Sequence, residues 1–135
     1  MQSLKDRKGY SMIDKKVANL VRSNIESSLR NFNISSEVLL KNNNMCISVQ
    51  DEDIDLWVRL LPVEDNKVSV DFSTVQLSDK LQNKGIFTSI FNNLKSSEVV
   101  GVLKISSVCT RCMAKWCVKN GLKTIDGFDY VYGSP

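Results

Sequence analysis

The most informative residue for chemistry is one the chain lacks. None of its 135 residues is histidine, so a Ser-His-Asp triad, a Cys-His dyad and a His-ligated metal are all excluded. The usual serine, cysteine and zinc chemistries thus lose their commonest partner. The stretch Leu77-Ser78-Asp79-Lys80-Leu81-Gln82-Asn83-Lys84-Gly85-Ile86-Phe87-Thr88-Ser89-Ile90 puts a polar, glycine-containing loop between an alternating apolar segment and the first turn of a helix. A helix start offers unpaired backbone N–H groups and the positive end of the peptide dipole, so such a loop can cradle a phosphate without any special side chain. Gly85 lets the backbone come close and Lys84 adds a charge, although an ordinary strand-to-helix connection with a solvated lysine has the same look. A rival is Cys109-Thr110-Arg111-Cys112, which follows an apolar run and opens a helix, the placement that lowers a thiol pKa in thioredoxin-like oxidoreductases. That fold needs more strands after the motif than the remaining chain supplies, and a spacing of three also suits packing on one helix face. Cys46, Cys109, Cys112 and Cys117 could gather round zinc, but paired CxxC knuckles are missing. No metal is expected.

The elements that must position these groups follow from periodicity. Residues 1–10 are polar and read as a flexible tail; 11–135 read as one domain, the size at which a single core is enclosed. Ser11 and Asp14 resemble a capping box, and Ile13, Val17, Leu20, Val21, Ile25, Leu29 and Phe32 recur at helical spacing, predicting a helix over 12–30. Residues 36–41 suit either a short helix or an edge strand, and Asn42, Asn43 and Asn44 mark a turn. Period-two alternation then predicts a three-strand antiparallel meander: Met45, Ile47 and Val49; Ile54, Leu56, Val58 and Leu60; Val68, Val70 and Phe72, the last strand continuing to Leu77. Phe87, Ile90, Phe91 and Leu94 mark a helix after Gly85. Val99, Val100, Gly101, Val102, Leu103 and Ile105 read as a strand buried on both faces. A helix over 110–120 ending at a left-handed Gly121 and a strand over 129–132 complete an α/β domain (α+β, with a mixed sheet). The formal charge is +3 from 18 basic and 15 acidic residues scattered along the chain, so nucleic acid is not an expected partner. Without an apolar run of membrane-spanning length or a signal-like start, a cytoplasmic protein is expected, with no membrane partner.

That order of elements resembles the GNAT superfamily of acyl-CoA-dependent N-acetyltransferases. In that family the fourth strand leads into an Arg/Gln-x-x-Gly-x-Gly/Ala loop, and Gln82-Asn83-Lys84-Gly85-Ile86-Phe87 looks like it. Ala114-Lys115-Trp116-Cys117-Val118-Lys119-Asn120-Gly121-Leu122 looks like the family's second signature, which closes the helix after the fifth strand. The resemblance runs over about 46–132. It implies a GNAT-like fold, acetyl-CoA as cofactor and transfer of the acetyl group to an amine by direct attack. The strand end at Val75, Gln76 and Leu77 would pair with the pantetheine arm. Backbone N–H groups of Gln82, Asn83, Lys84, Gly85, Ile86, Phe87 and Thr88 would hold the pyrophosphate. Phe87 stands where the family has Gly or Ala. Cys117 stands where many members carry a tyrosine that protonates the departing thiolate; a cysteine can donate that proton, and it can equally be a small core residue.

Removing a proton from the attacking amine calls for a base, and without histidine a carboxylate is the natural candidate. Asp71, on the strand leading to the cofactor, is the first choice, against the plain alternative of a charge on the wetter face of that strand. The acceptor amine is left open between a small molecule and a protein. A second function also stands: a GNAT-like scaffold without catalysis that binds a protein partner, suggested by Phe87, Cys117 and a shortened amino-terminal part.

Overall fold

The computed structural model describes residues 15–34, 37–41, 46–64, 67–82, 84–108 and 110–133. Expectations placed on 1–14, Ser36, Asn42, Asn43, Asn44, Met45, Asp65, Asn66, Asn83 and Cys109 lie outside the described residues. Three helices and seven strands are described, a mixed α/β arrangement. In chain order they are α1 (Lys15–Asn31), β1 (Glu37–Lys41), β2 (Cys46–Gln50), β3 (Ile54–Val63), β4 (Lys67–Leu77), α2 (Ile86–Lys95), β5 (Val100–Ile105), α3 (Arg111–Lys119), β6 (Lys123–Thr124) and β7 (Tyr130–Tyr132). No helix among the described residues is long and apolar enough to cross a membrane.

The seven strands form one sheet in the order β1-β2-β3-β4-β5-β7-β6. The first four are antiparallel neighbours, β4 and β5 run parallel, and β5–β7 and β7–β6 are antiparallel again. The meander thus has four strands where three were expected. Within the ambiguous 36–41 segment, Glu37–Lys41 form β1, because five residues are too few for a stable helix, whereas the open edge of β2 offers a full ladder of backbone partners. β6 had no signature in sequence, since two residues cannot display an alternation.

Alternation along β2, β3 and β4 sends Ile47 and Val49, then Ile54, Leu56, Val58 and Leu60, then Val68, Val70 and Phe72 to one buried face. The helices cover that face. α1 contributes Ala18, Val21, Ile25 and Leu29 at three- and four-residue intervals, and α2 contributes Ile86, Phe87, Ile90, Phe91 and Leu94. Burying each large apolar side chain stabilises by about 1.5–3 kcal/mol, which is why this pattern and not helix propensity sets the layering. Where α1 meets α2 the buried Ser28 is fully satisfied: its hydroxyl donates to the Asn24 carbonyl and accepts from the Asn93 amide.

Two local features open the sheet. Val58 pairs with Phe72, but Trp57 pairs with Thr74, so Ser73 has no partner opposite it and forms a bulge in β4. A bulge bends its strand and increases the local twist. The parallel pairing of β4 with β5 ends at the same place, with Phe72 opposite Ile105 and a last bond from the Ser106 N–H to the Phe72 carbonyl. Ser107 then adopts φ 55° and the chain turns away. Beyond this fork β4 continues for residues 73–77, about 16 Å at the rise of an extended strand, held by β3 on one edge only among the described residues.

Candidate functional site: the cleft at the fork between β4 and β5

A cleft of about 650 Å³ occupies the fork. One wall is the free end of β4, with Val75, Gln76 and Leu77, continued by Leu81 and Gln82 of the following loop. A second wall is the start of α2, from Gly85 through Ile86, Phe87 and Thr88. The third is α3, through Thr110, Cys112, Met113 and Trp116. The volume lies within the range of small-molecule and cofactor sites, and the mixture of apolar walls with a few polar groups is theirs as well.

The loop is tied down from within. The Leu81 and Gln82 N–H groups both donate to the Ser78 carbonyl, and the Gln82 side-chain amide donates to the Leu77 carbonyl at 2.9 Å. The backbone donor expected from Gln82 is therefore already committed, and the free donors begin later. Gly85 precedes α2 with φ 79°, in the left-handed region, and no side chain caps the helix. The first N–H groups of an α-helix have no acceptor within it, so Ile86, Phe87 and Thr88 present donors at the cleft wall. Lys84 is exposed and outside the cleft lining.

A Cβ on Gly85 would meet nothing within 4 Å, so a substitution there tests backbone strain alone. Gly85→Ala should cost about 1–2 kcal/mol of stability, and Gly85→Asn clearly less, because asparagine tolerates the left-handed region. Denaturant midpoints of the two variants check this; equal losses would mean that the residue relaxes to negative φ.

Phe87 does not fill the cleft. Its ring is 8% exposed and turns inward, edge-on to Phe72 with centroids 5.1 Å apart, 4.8 Å from Trp116 and 6.4 Å from Phe91. It makes the floor. Where a smaller residue was the family expectation, the bulk is taken up by the core below the loop. Trp116, a half-buried residue on α3, closes the floor from the other side and donates its indole N–H to the Thr88 hydroxyl at 2.9 Å.

The two residues expected to handle protons lie elsewhere. Asp71 is 6% exposed, and its carboxylate accepts a 2.6 Å hydrogen bond from Ser106 Oγ. Its strand neighbours are Arg59 and Lys104. It sits at the apex of the fork, where it pins the last turn of β5, and is outside the cleft lining. It is not the solvated charge of the plain alternative either, since β5 and Ser106 cover it. Cys117 is fully buried in the core, outside the lining, and burial pushes its thiol up to about 11. A folded-state pKa raised above the unfolded value of about 8.5 means that the neutral thiol's contribution to stability is complete below that value and disappears as pH rises through 11. Iodoacetamide at pH 8.5, followed by peptide mapping, should modify the exposed Cys112 and spare Cys117 until the chain is unfolded. Modification of Cys117 at the rate of Cys112 would contradict its placement.

The third wall escaped the sequence reading. Thr110 and Met113 are expected only on a helix, Trp116 only within the signature-like segment 114–122, and Cys112 only as half of a redox pair or as a zinc ligand. Thr110 is the N-cap of α3, its hydroxyl accepting from the Met113 N–H at 3.2 Å; a threonine directly before the helical run was the available signal. Cys46, Cys112 and Cys117 occupy β2, the cleft and the core respectively. Among the described residues no three His, Cys, Asp or Glu side chains converge on a metal-sized site. No protein-family model matches the chain, and a search of curated proteins finds no similar sequence.

Proposed function

We propose that the cleft binds acetyl-CoA and that the protein transfers its acetyl group to an amine, on a GNAT-like fold. The observation that carries this reading is the fork. A strand end with one edge unpaired among the described residues runs about 16 Å toward an uncapped helix start, and a 650 Å³ cleft joins the two. An extended pantetheine arm can pair along the edge of Val75, Gln76 and Leu77 as a further strand would, apart from the Leu77 carbonyl, which the Gln82 amide already occupies. A diphosphate can take the N–H groups of Ile86, Phe87 and Thr88. The parallel pair β4–β5, the bulge at Ser73 and the strand order support the same resemblance that the loop and the α3 motif suggested in sequence. Free thiols at Cys46, Cys112 and Cys117 go with a cytoplasmic setting.

In this reading the amine attacks the thioester directly, with the backbone of the free strand edge polarising the carbonyl. The bond from nitrogen to the acetyl carbon forms, the carbon–sulfur bond breaks, and the released thiolate takes up a proton. Because Asp71 and Cys117 both lie off the cleft lining, the wall offers neither a carboxylate nor Cys117 for proton transfer. Proton traffic then runs through water at the open mouth. That same observation favours the second reading, a scaffold that binds the cofactor or a protein partner without turnover. Release of free CoA thiol from acetyl-CoA, measured across a panel of small amines and peptides, separates the two. Amine-dependent release supports the transferase. Binding without release in every case supports the scaffold.

A further inference from the structure

We propose that Trp116 and Thr88 act as a unit that makes the cleft selective for a phosphate-bearing ligand: the indole fixes the Thr88 hydroxyl so that its proton is held for the ligand's diphosphate. This rests on the cofactor reading above and assigns it two side chains.

Thr88 is the third residue of α2, at the end where backbone donors are free, and it lines the cleft. A hydroxyl has one proton to give and can accept two. In a helix, threonine commonly spends that proton on a carbonyl in the preceding turn. Here the Thr88 hydroxyl is an acceptor only: it receives the Trp116 indole N–H at 2.9 Å, and its own proton meets no acceptor among the described residues. The indole nitrogen is a donor and nothing else, so the polarity of this contact is fixed and the hydroxyl proton must be directed elsewhere.

Trp116 cannot easily swing away. Its ring is held 4.8 Å from Phe87 and 5.1 Å from Phe91, edge-on to the latter. The carbonyl of the same residue is bonded to the Asn120 amide side chain at 2.8 Å. A rigid indole therefore holds a hydroxyl that stands on the first turn of α2 with the free backbone donors of Ile86, Phe87 and Thr88, at the helix end where negative charge is stabilised. Trp116 acts through Thr88 and is a positioning residue; Thr88 is the group that touches the ligand.

The test compares the binding of CoA, dephospho-CoA and pantetheine, followed through backbone amide shifts so that weak ligands are measurable. CoA and dephospho-CoA carry the diphosphate and pantetheine carries none. Thr88→Val, which keeps the shape, should weaken CoA and dephospho-CoA about tenfold and leave pantetheine unchanged. Thr88→Ser should bind as the wild type does. Trp116→Phe, which keeps most of the packing, should also weaken the two diphosphate ligands, and adding it to Thr88→Val should bring no further loss, the mark of two residues in one path. Unchanged CoA affinity in Thr88→Val, or an equal loss for pantetheine, overturns this inference and leaves the cofactor reading standing. Failure of the wild-type protein to bind CoA overturns both.

Discussion

Phe91→Ala should destabilise the protein by about 3–5 kcal/mol, the largest loss expected from any single substitution near the cleft. The ring is fully buried on α2 and packs against two further elements, Trp116 of α3 at 5.1 Å and Tyr132 of β7 at 5.9 Å, and against Phe87 of its own helix at 6.4 Å, measured between centroids. Its removal leaves a cavity bounded by three aromatic rings that are themselves packed, so collapse can recover little of the lost contact. At roughly 4 °C per kcal/mol for a domain of this size, the melting temperature should fall by about 12–20 °C. The damage should also reach the cleft, since Phe87 and Trp116 form its floor and lose their shared neighbour. A surface control, Leu61→Ala on the exposed side of β3, should change stability by no more than about 0.5 kcal/mol. A loss below about 1 kcal/mol for Phe91→Ala would mean that α2 and α3 are not joined through this ring.

Acetyl-CoA at one hundred times its dissociation constant should stabilise the folded chain by about 2.7 kcal/mol, a rise in melting temperature of about 10 °C. The effect is thermodynamic and needs no turnover, so it holds for both the transferase and a scaffold that binds cofactor. Pantetheine at the same concentration should give a much smaller shift, because it lacks the diphosphate for which α2 offers its donors. Adenosine alone should give still less, having neither the arm for β4 nor the diphosphate. An unchanged melting temperature with acetyl-CoA at millimolar concentration would leave only the reading in which the fold presents a surface to a protein partner.

Much of the layering could be read from residue types. Helical spacing placed Val21, Ile25 and Leu29 of α1 on the core side, and alternation placed Ile47, Val58 and Val70 on the same face of the sheet. The fork is subtler. Apolar positions on β4 run Val68, Val70, Phe72 and then shift by one to Val75 and Leu77. This change of parity is what a bulge at Ser73 leaves in a sequence, yet a pair of polar residues between apolar ones reads equally well as the end of a strand. The helix of the α3 wall is legible in the sequence, but its place at the cleft is not. That Met113 and Trp116 face Gly85 and Thr88 depends on how two crossover helices pack, which no local pattern specifies. Asp71 shows the same limit from the other side: period two gave its face, but its burial comes from Ser106, 35 residues further on. Cys117 was open between a proton donor and core filling because a thiol suits both, and only its surroundings decide where it lies.

In the proposed reading, the edge of β4 left unpaired among the described residues and the start of α2 take up one ligand between them. Titrating the isotopically labelled protein with CoA and following each backbone amide tests this directly. The largest shifts should fall on Val75, Gln76 and Leu77 together with Ile86, Phe87 and Thr88, with little change in α1 or β2. Shifts confined to the exposed lysines of α3, or none at all with CoA at millimolar concentration, would contradict it.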